Sequence, residues 1–505
     1  MGQGTCRRIL SQASIFTATV IGMIAVLAAT ANATSYTVTT TSDTSSSGQC
    51  TLRDAINAAN GSVTSGSSCS AVNTGTDTIV FAGGVTGTIA IATNGTLPAI
   101  VSGETLTITG PTTAPGITID GGMAVELMKV NQGATLNLQS LTLTNGSVTC
   151  SSEKCGVEGG SIDNFGILTI TNGTLSSNQA TCTSAGCLAD GGAIFSAGPL
   201  TITNSTFSGN EANGESHGAG QGGAIYNASG QTMTITNATF SANVAAGDTA
   251  LGGAINTEGG TVNLKGTILA ASTPSNCSGS ATTATYNIAD DGTCFINSVD
   301  GNQVITPTSD IDLASTPAAN GGPTFTLALT STSSPAVNVV PPADCPATDQ
   351  RGYIRPAPGQ TNCDVGAFEL NALPPVTVDC SKAAASTPNL TAISPFTFYP
   401  ENVTGVTDSS GGGFSISITG VAQSAPIIDF PPLFCPNATV LGSTAFVRTT
   451  SPLGSSGMLY GIAFTATDKS SGTSCKGNVP VCVQGVLNHG KPCTGSATYN
   501  ATSCR

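Results

Sequence analysis

Short runs in which aliphatic residues alternate with threonine or asparagine recur through the middle of this chain. Leu168-Thr169-Ile170, Leu200-Thr201-Ile202, Met233-Thr234-Ile235 and Val262-Asn263-Leu264 are the clearest. A period of two puts the aliphatic side chains on one face of a strand and the threonines on the other. The runs are spaced by a longer repeat. Gly-Gly pairs open at Gly159, Gly191, Gly222 and Gly252, each followed by a small residue and isoleucine, at intervals of 32, 31 and 30 residues. After the first three strands come Asn172, Asn204 and Asn237, then Leu175, Phe207 and Phe240, with Asn178, Asn210 and Asn243 three residues later. No helical pattern lies between the repeats. Short strands returning every 30 or so residues predict coils stacked about 4.8 Å apart, with aliphatic columns inside and asparagine side chains bonding from coil to coil. A two-sheet sandwich also uses alternating strands but does not call for glycine pairs and asparagines at fixed repeat positions. Less regular strands at Ile79-Val80-Phe81, Ile89-Ala90-Ile91, Leu106-Thr107-Ile108, Ile117-Thr118-Ile119 and Leu136–Leu143 extend the expected β-helix to residues 78–330.

An open solenoid end exposes its core, so both ends need covers. In front, Leu52, Ala55, Ile56 and Ala59 fall on one face of an amphipathic helix, in a cap expected over residues 34–77. Arg53 and Asp54 do not face each other on that helix and read as cap salt-bridge partners rather than a catalytic pair. Behind, Asp344, Asp349, Arg351, Arg355, Asp364 and Glu369 concentrate charge in a chain that is only 8% charged. They read as a salt-bridged closure over 321–370, with a catalytic carboxylate cluster as the alternative. Pro374-Pro375 opens a linker over 371–390. Strand-like runs over 391–505, separated by Gly, Pro and Ser, predict a β-sandwich. The fold class is therefore all-β: a right-handed parallel β-helix with a short capping helix and a C-terminal sandwich.

Composition narrows the function. The chain has 14 Lys and Arg against 28 Asp and Glu, a net charge of −14, so it lacks the basic footprint of a nucleic-acid binder. Arg7 and Arg8, the apolar run Val20–Ala29 and Ala31-Asn32-Ala33 read as a signal peptide cleaved after residue 33. The alternative is an uncleaved anchor helix, which Thr17, Thr19, Thr30 and Asn32 argue against. No stable transmembrane segment is expected after cleavage. Removing Cys6 leaves 16 of the 17 cysteines, an even number as exported disulfide proteins require. The candidates are Cys50, Cys69, Cys150, Cys155, Cys182, Cys187, Cys277, Cys294, Cys345, Cys363, Cys435, Cys475, Cys482 and Cys493, with Cys380 and Cys504 as further partners. Zinc is the weaker reading, because no histidine or tight C-x2-C turn accompanies them.

Several segments resemble known families. Gly222-Gly223-Ala224-Ile225, Phe207-Ser208-Gly209-Asn210 and Phe240-Ser241-Ala242-Asn243 resemble the GGAI and FxxN repeats of the polymorphic outer-membrane proteins, which implies a right-handed β-helix displayed outside the cell. Cys50–Asn60 resembles the CSLREA motif found before bacterial β-helices, with Thr51 and Asp54 in place of its Ser and Glu. Gly322–Leu327, Ser334–Val337, Asp349–Gly352, Arg355-Pro356 and Cys363–Glu369 resemble the choice-of-anchor Q module of secreted bacterial β-helices. Tyr460–Asp468, Ser474–Gly477 and Val481–Val483 resemble the last strands of Ig-like or cadherin-like surface modules. Gln484-Gly485 stands where such modules often carry an acidic motif, which weakens a calcium site there.

For chemistry, the residue before each Gly-Gly pair is Glu158, Asp190, Gln221 and Leu251. Stacking in register puts Glu158 beside Asp190 at near the 5–5.5 Å that retaining glycosidases use. The alternative is a polar ladder at a corner. Asp290-Asp291 resembles a fragment of a polygalacturonase site without its partner elements. Asp310-x-Asp312 is the only Ca²⁺ candidate, and no other cofactor is called for. His217 reads as a solvated loop residue within the long loop 211–221. The leading expectation is a secreted or surface-exposed bacterial protein with a structural or adhesive role, binding extracellular glycan, matrix or protein surfaces through its loops. The alternative is a polysaccharide-active hydrolase or lyase.

Overall fold

A computed structural model describes residues 33–505, except 63, 70–74, 153–155, 216–217, 393–396, 410–412, 427–435, 450–456, 470–471, 486–492 and 504–505. The chain forms two compact units. The first reaches Arg351 and takes in Gly359–Leu370; the second comprises Gly352–Pro358 and Asn371–Arg505.

The first unit is a parallel β-solenoid. One coil runs through Ile162–Asn164, Ile167–Thr171, Thr174–Ser176, Gln179–Cys182 and Leu188–Asp190, and the next begins at Ile194. Each strand pairs in parallel with its counterpart one coil away, so identical repeat positions stack. Leu168, Leu200, Met233 and Val262 form one buried column; Leu175, Phe207, Phe240 and Leu269 form another. The Phe207 and Phe240 rings stack with centroids 4.7 Å apart. The result is two nine-stranded sheets, one six-stranded sheet and two four-stranded sheets.

The two four-stranded sheets were not foreseen. The segment 211–221, expected as a loop, and the segment between Asn178 and Asp190 instead contribute pairs of three- or four-residue strands. Stacked over four coils, they build a side lobe with its own small core of Val157, Ala180, Cys182, Cys187, Ala189 and Ala212. Small side chains let the two sheets approach closely. A Cβ on Gly220 would lie 2.1 Å from Ala212 O and 2.3 Å from Ala246 O.

The two asparagine rows behave differently. Asn178, Asn210 and Asn243 form the expected ladder: Asn178 Nδ2 donates to Asn210 Oδ1 and Asn210 Nδ2 to Asn243 Oδ1, both at 2.9 Å and fully buried. Asn172, Asn204 and Asn237 do not ladder. They turn corners at φ of 56°, 48° and 49°, the left-handed region asparagine tolerates. Two of them hold a later segment instead. Asn204 Nδ2 donates to Thr348 O at 2.7 Å, and Asn237 Nδ2 to Asp364 O at 3.3 Å.

That segment corrects the expected end closure. It lies along the solenoid's flank: Phe325 O accepts from Thr174 Oγ1, Thr206 Oγ1 donates to Gln350 Oε1, and Ala367 N donates to Thr239 Oγ1. Val340, Cys363, Val365 and Phe368 join Ile268, Ala270 and Ile288 in a second apolar cluster. The strap's charges are spent on holding it. Arg351 pairs with Asp349 at 2.6 Å and lies 3.7 Å from the Phe368 ring centroid, while Asp364 and Glu369 accept backbone N–H bonds from Leu370 and Asp364 respectively.

At the front, Leu52–Ala59 is helical with Leu52, Ala55, Ile56 and Ala59 buried. Thr51 Oγ1 accepts from Asp54 N, and Arg53 pairs with Asp43 at 2.8 Å. Parallel pairing begins ahead of this helix, because Thr34–Val38 pairs with Thr76–Phe81, and it ends at Gln303–Val304. The β-helix and its cap therefore share the first coils rather than dividing near residue 78.

The second unit has two main sheets around one core. Val403, Ala445 and Val447 from one face Leu390, Val421, Tyr460, Ile462, Val479 and Val481 from the other. Strands Val378–Asp379, Ala384–Ala385 and Asn389–Thr391 lie within the stretch expected as a linker. Disulfides join Cys50–Cys69, Cys182–Cys187, Cys277–Cys294, Cys345–Cys363, Cys380–Cys475 and Cys482–Cys493. Cys150 is also disulfide-bonded, while Cys155, Cys435 and Cys504 lie outside the described residues.

Candidate functional site: a carboxylate corner at the foot of the lobe

Each coil leaves the lobe through its Gly-Gly pair before entering the six-stranded sheet. The geometry leaves no alternative residue there. Gly191 sits at φ 73°, and a Cβ on Gly192 would lie 2.1 Å from Gly223 O of the next coil. Because both flanking sheets are in register, the corner carries two parallel columns of side chains. One is Glu158, Asp190, Gln221 and Leu251. The other, one step past the inward isoleucines, is Lys129, Asp163, Phe195, Tyr226 and Asn256.

The columns interact. Lys129 Nζ bonds Asp163 Oδ2 and lies 5.0 Å from the Phe165 ring centroid. Phe165, Phe195 and Tyr226 continue as an aromatic row with centroids 5.9 and 5.4 Å apart, the second pair stacked. Tyr226 Oη donates to Glu258 Oε2 at 2.6 Å, and Asn256 Nδ2 donates to Gln221 Oε1 at 2.9 Å. Phe195 and Tyr226 are themselves buried, so they form a floor that keeps water from the neighbouring acids rather than an exposed stacking platform.

Electrostatics follow from that floor. Burial, then the nearby Glu158 and Glu258, pushes Asp190 up to about 7. Burial and the charge of Asp163, partly offset by Lys129, push Glu126 up to about 8. Glu158 and Asp163 are also raised, burial being the main cause in each. Burial works against the Lys129 ammonium, but its bond to Asp163 and the adjacent Glu126 and Glu158 outweigh that and raise its pKa. Buried oxygens on Glu126, Asp163 and Asp190 have no hydrogen-bond partner. Near neutral pH the corner therefore mixes protonated and ionised carboxyls, which is the chemistry an acid–base pair requires.

The sequence pointed to Glu158 and Asp190, and the structure places them opposite each other on adjacent coils. It does not bring the other candidates to them. Asp310 is exposed within the short turn Thr308–Ile311, and Asp312, just after it, uses its backbone carbonyl to accept from Thr330. Asp290 and Asp291 hold Ala271 N, Thr308 Oγ1, Asn276 and Thr293. His217 lies outside the described residues. Among the described residues, no three His, Cys, Asp or Glu side chains come together to hold a metal ion. Glu126, Lys129, Asp163, Tyr226 and Glu258 were missed. Extending the repeat alignment one residue past isoleucine gives Asp163, Phe195, Tyr226 and Asn256, which would have revealed the second column.

No family model, curated protein or solved structure matches this chain. The disulfides fit an extracellular protein. Among the described residues, no helix is long and apolar enough to cross a membrane.

Proposed function

We propose that this is an exported bacterial surface or secreted protein whose role is adhesive, and that the carboxylate corner binds uncharged or amino-bearing extracellular glycans. The observation that carries the reading is the in-register row of Glu158, Asp190 and Gln221, repeated at the coil spacing of about 4.8 Å and bordered by Lys129, Asn256 and Glu258. Planar carboxyl and amide groups at regular intervals suit the hydroxyls of a polymer lying along the solenoid axis. The corner's acidity, and the chain's net charge of −14, disfavour polyuronates by like-charge repulsion.

A second reading is glycoside hydrolysis. It draws on one feature, the pairing of Glu158 with Asp190, itself raised to about 7, at a separation set by the coil spacing, near the retaining range of about 5–5.5 Å. Asp190 would donate the proton and Glu158 act as the nucleophile. A glycan array and polysaccharide cleavage assays on the secreted protein, with Glu158→Gln, Asp190→Asn and Glu258→Gln, separate the two. Binding without turnover that weakens in Glu158→Gln and Glu258→Gln supports adhesion. Turnover abolished by Glu158→Gln and Asp190→Asn establishes the enzyme. Binding indifferent to all three substitutions removes the corner from the function.

A further inference from the structure

The first coil breaks the rule that the rest of the solenoid obeys. In the nine-stranded sheet that begins at Thr34, one inward column reads Leu106, Leu136, Leu168, Leu200, Met233 and Val262, and the member before Leu106 is Asp77. Asp77 is 1% exposed, as is Glu104 close by. Glu104 Oε2 accepts from Gly75 N at 2.7 Å, but Glu104 Oε1 and Asp77 Oδ2 have no partner. Among the described residues no lysine or arginine pairs with either carboxylate; the ion pairs near this end of the solenoid go elsewhere, such as Arg53 to Asp43. Two buried acids without a cation cost several kcal/mol or stay protonated, and burial does raise both, Glu104 to about 7.

The missing cation has an obvious source. Thr34 N donates to Asp77 Oδ1 at 2.9 Å, and Thr34 stands opposite Asp77 in register. Ala33, immediately before it, is exposed and outside any strand. We infer that hydrolysis of the Ala33–Thr34 bond is a maturation step that turns the Thr34 amide into an α-ammonium group, which becomes the counter-ion of the buried Asp77 and, through it, of Glu104. Water adds hydroxyl to the Ala33 carbonyl and hydrogen to the Thr34 nitrogen, and the new amine takes up a further proton. A peptidase of the export pathway supplies the catalysis. The inference rests on the exported reading and adds a role for the new terminus: the precursor leaves the first coil with uncompensated acids, and only the processed chain neutralises them.

The test begins with export of the full chain from a bacterial host and determination of the N-terminal residue of the secreted product. Thr34 is expected; any other first residue overturns the inference, and an unprocessed product also overturns the signal-peptide reading. Next, the Thr34-starting protein is compared with one that retains Ala33. The retained residue should lower the urea midpoint of unfolding, by roughly tenfold or more in the unfolding constant, and Asp77→Asn should abolish the difference between the two starts. Labelling with an amine-reactive reagent needs no substitution. The Thr34 α-amine should react at least about tenfold more slowly than the α-amine of the Ala33-starting chain, because the adjacent Asp77 carboxylate holds the ammonium protonated. Equal midpoints together with equal labelling rates would sink the inference while leaving export intact.

Discussion

Replacing Asn210 with alanine tests whether the buried amide ladder, rather than the aliphatic columns alone, holds the coils together. Asn210 Oδ1 accepts from Asn178 N at 3.1 Å and Asn178 Nδ2 at 2.9 Å, while its Nδ2 donates to Leu175 O at 3.0 Å and Asn243 Oδ1 at 2.9 Å. The side chain is fully buried, and the stacked Phe207 and Phe240 rings stand three residues before Asn210 and Asn243, so water has no ready route to the orphaned groups. Alanine removes four hydrogen bonds; Asn243 Oδ1 keeps the one from Asn210 N and Asn178 Nδ2 the one to Leu143 O, so Asn178 N and Leu175 O are the groups that lose their side-chain partner outright. At roughly 1–3 kcal/mol for each buried polar group left unsatisfied, the low end amounts to about 2 kcal/mol. Neighbouring coils share the loss, since each stabilises the next. Urea unfolding followed by circular dichroism would measure it, with the exposed Thr201→Ala as a control expected to stay within about 0.5 kcal/mol. A loss below about 1 kcal/mol for Asn210→Ala would refute the ladder's role and leave hydrophobic stacking as sufficient.

Two further predictions concern the corner. Asp190, raised to about 7, and Glu126, raised to about 8, bind protons more tightly folded than unfolded. Their contribution to stability is therefore full below about pH 4 and lost as pH rises through 7 to 8; thermal unfolding across that range should show the decline, and Asp190→Asn should flatten it. Gly192→Ala drives a methyl group against Gly223 O at 2.1 Å and should cause loss of soluble protein or rapid proteolysis. Gly209→Ala, at φ 64° with nothing within 4 Å, should cost only about 1–2 kcal/mol. Comparable behaviour of the two variants in limited proteolysis would contradict the close-approach argument.

The repeat itself was legible because stacking demands identical positions. Gly-Gly pairs, the aliphatic columns and Asn178, Asn210 and Asn243 each recur at a fixed offset, and register then fixes Glu158 against Asp190. The lobe was not legible, since its strands are three or four residues long and bury alanines such as Ala180, Ala189 and Ala212, which carry no visible alternation. The strap was misplaced for a related reason. Its charged residues announce internal pairing, but the sequence does not say that Asn204 and Asn237 reach out to Thr348 and Asp364 rather than to each other. Lys129 escaped notice because the Gly121-Gly122 pair of its coil is followed by Met123-Ala124 rather than a small residue and isoleucine, so the coil aligns only through strand pairing with Ile162–Asn164.

The strap has a temporal consequence. Its contacts reach back across more than 100 residues of sequence, from Phe325 to Thr174, Thr348 to Asn204 and Ala367 to Thr239. A ribosome or an export channel delivers the coils first and the strap last. Until residues 324–367 emerge, the corner asparagines and threonines of the earlier coils lack those bonds, and the outward Ile268, Ala270 and Ile288 are uncovered. The solenoid therefore cannot finish coil by coil from its beginning. Its completion waits for the chain that follows, which keeps the growing stack open to rearrangement until nearly all of the first unit has arrived.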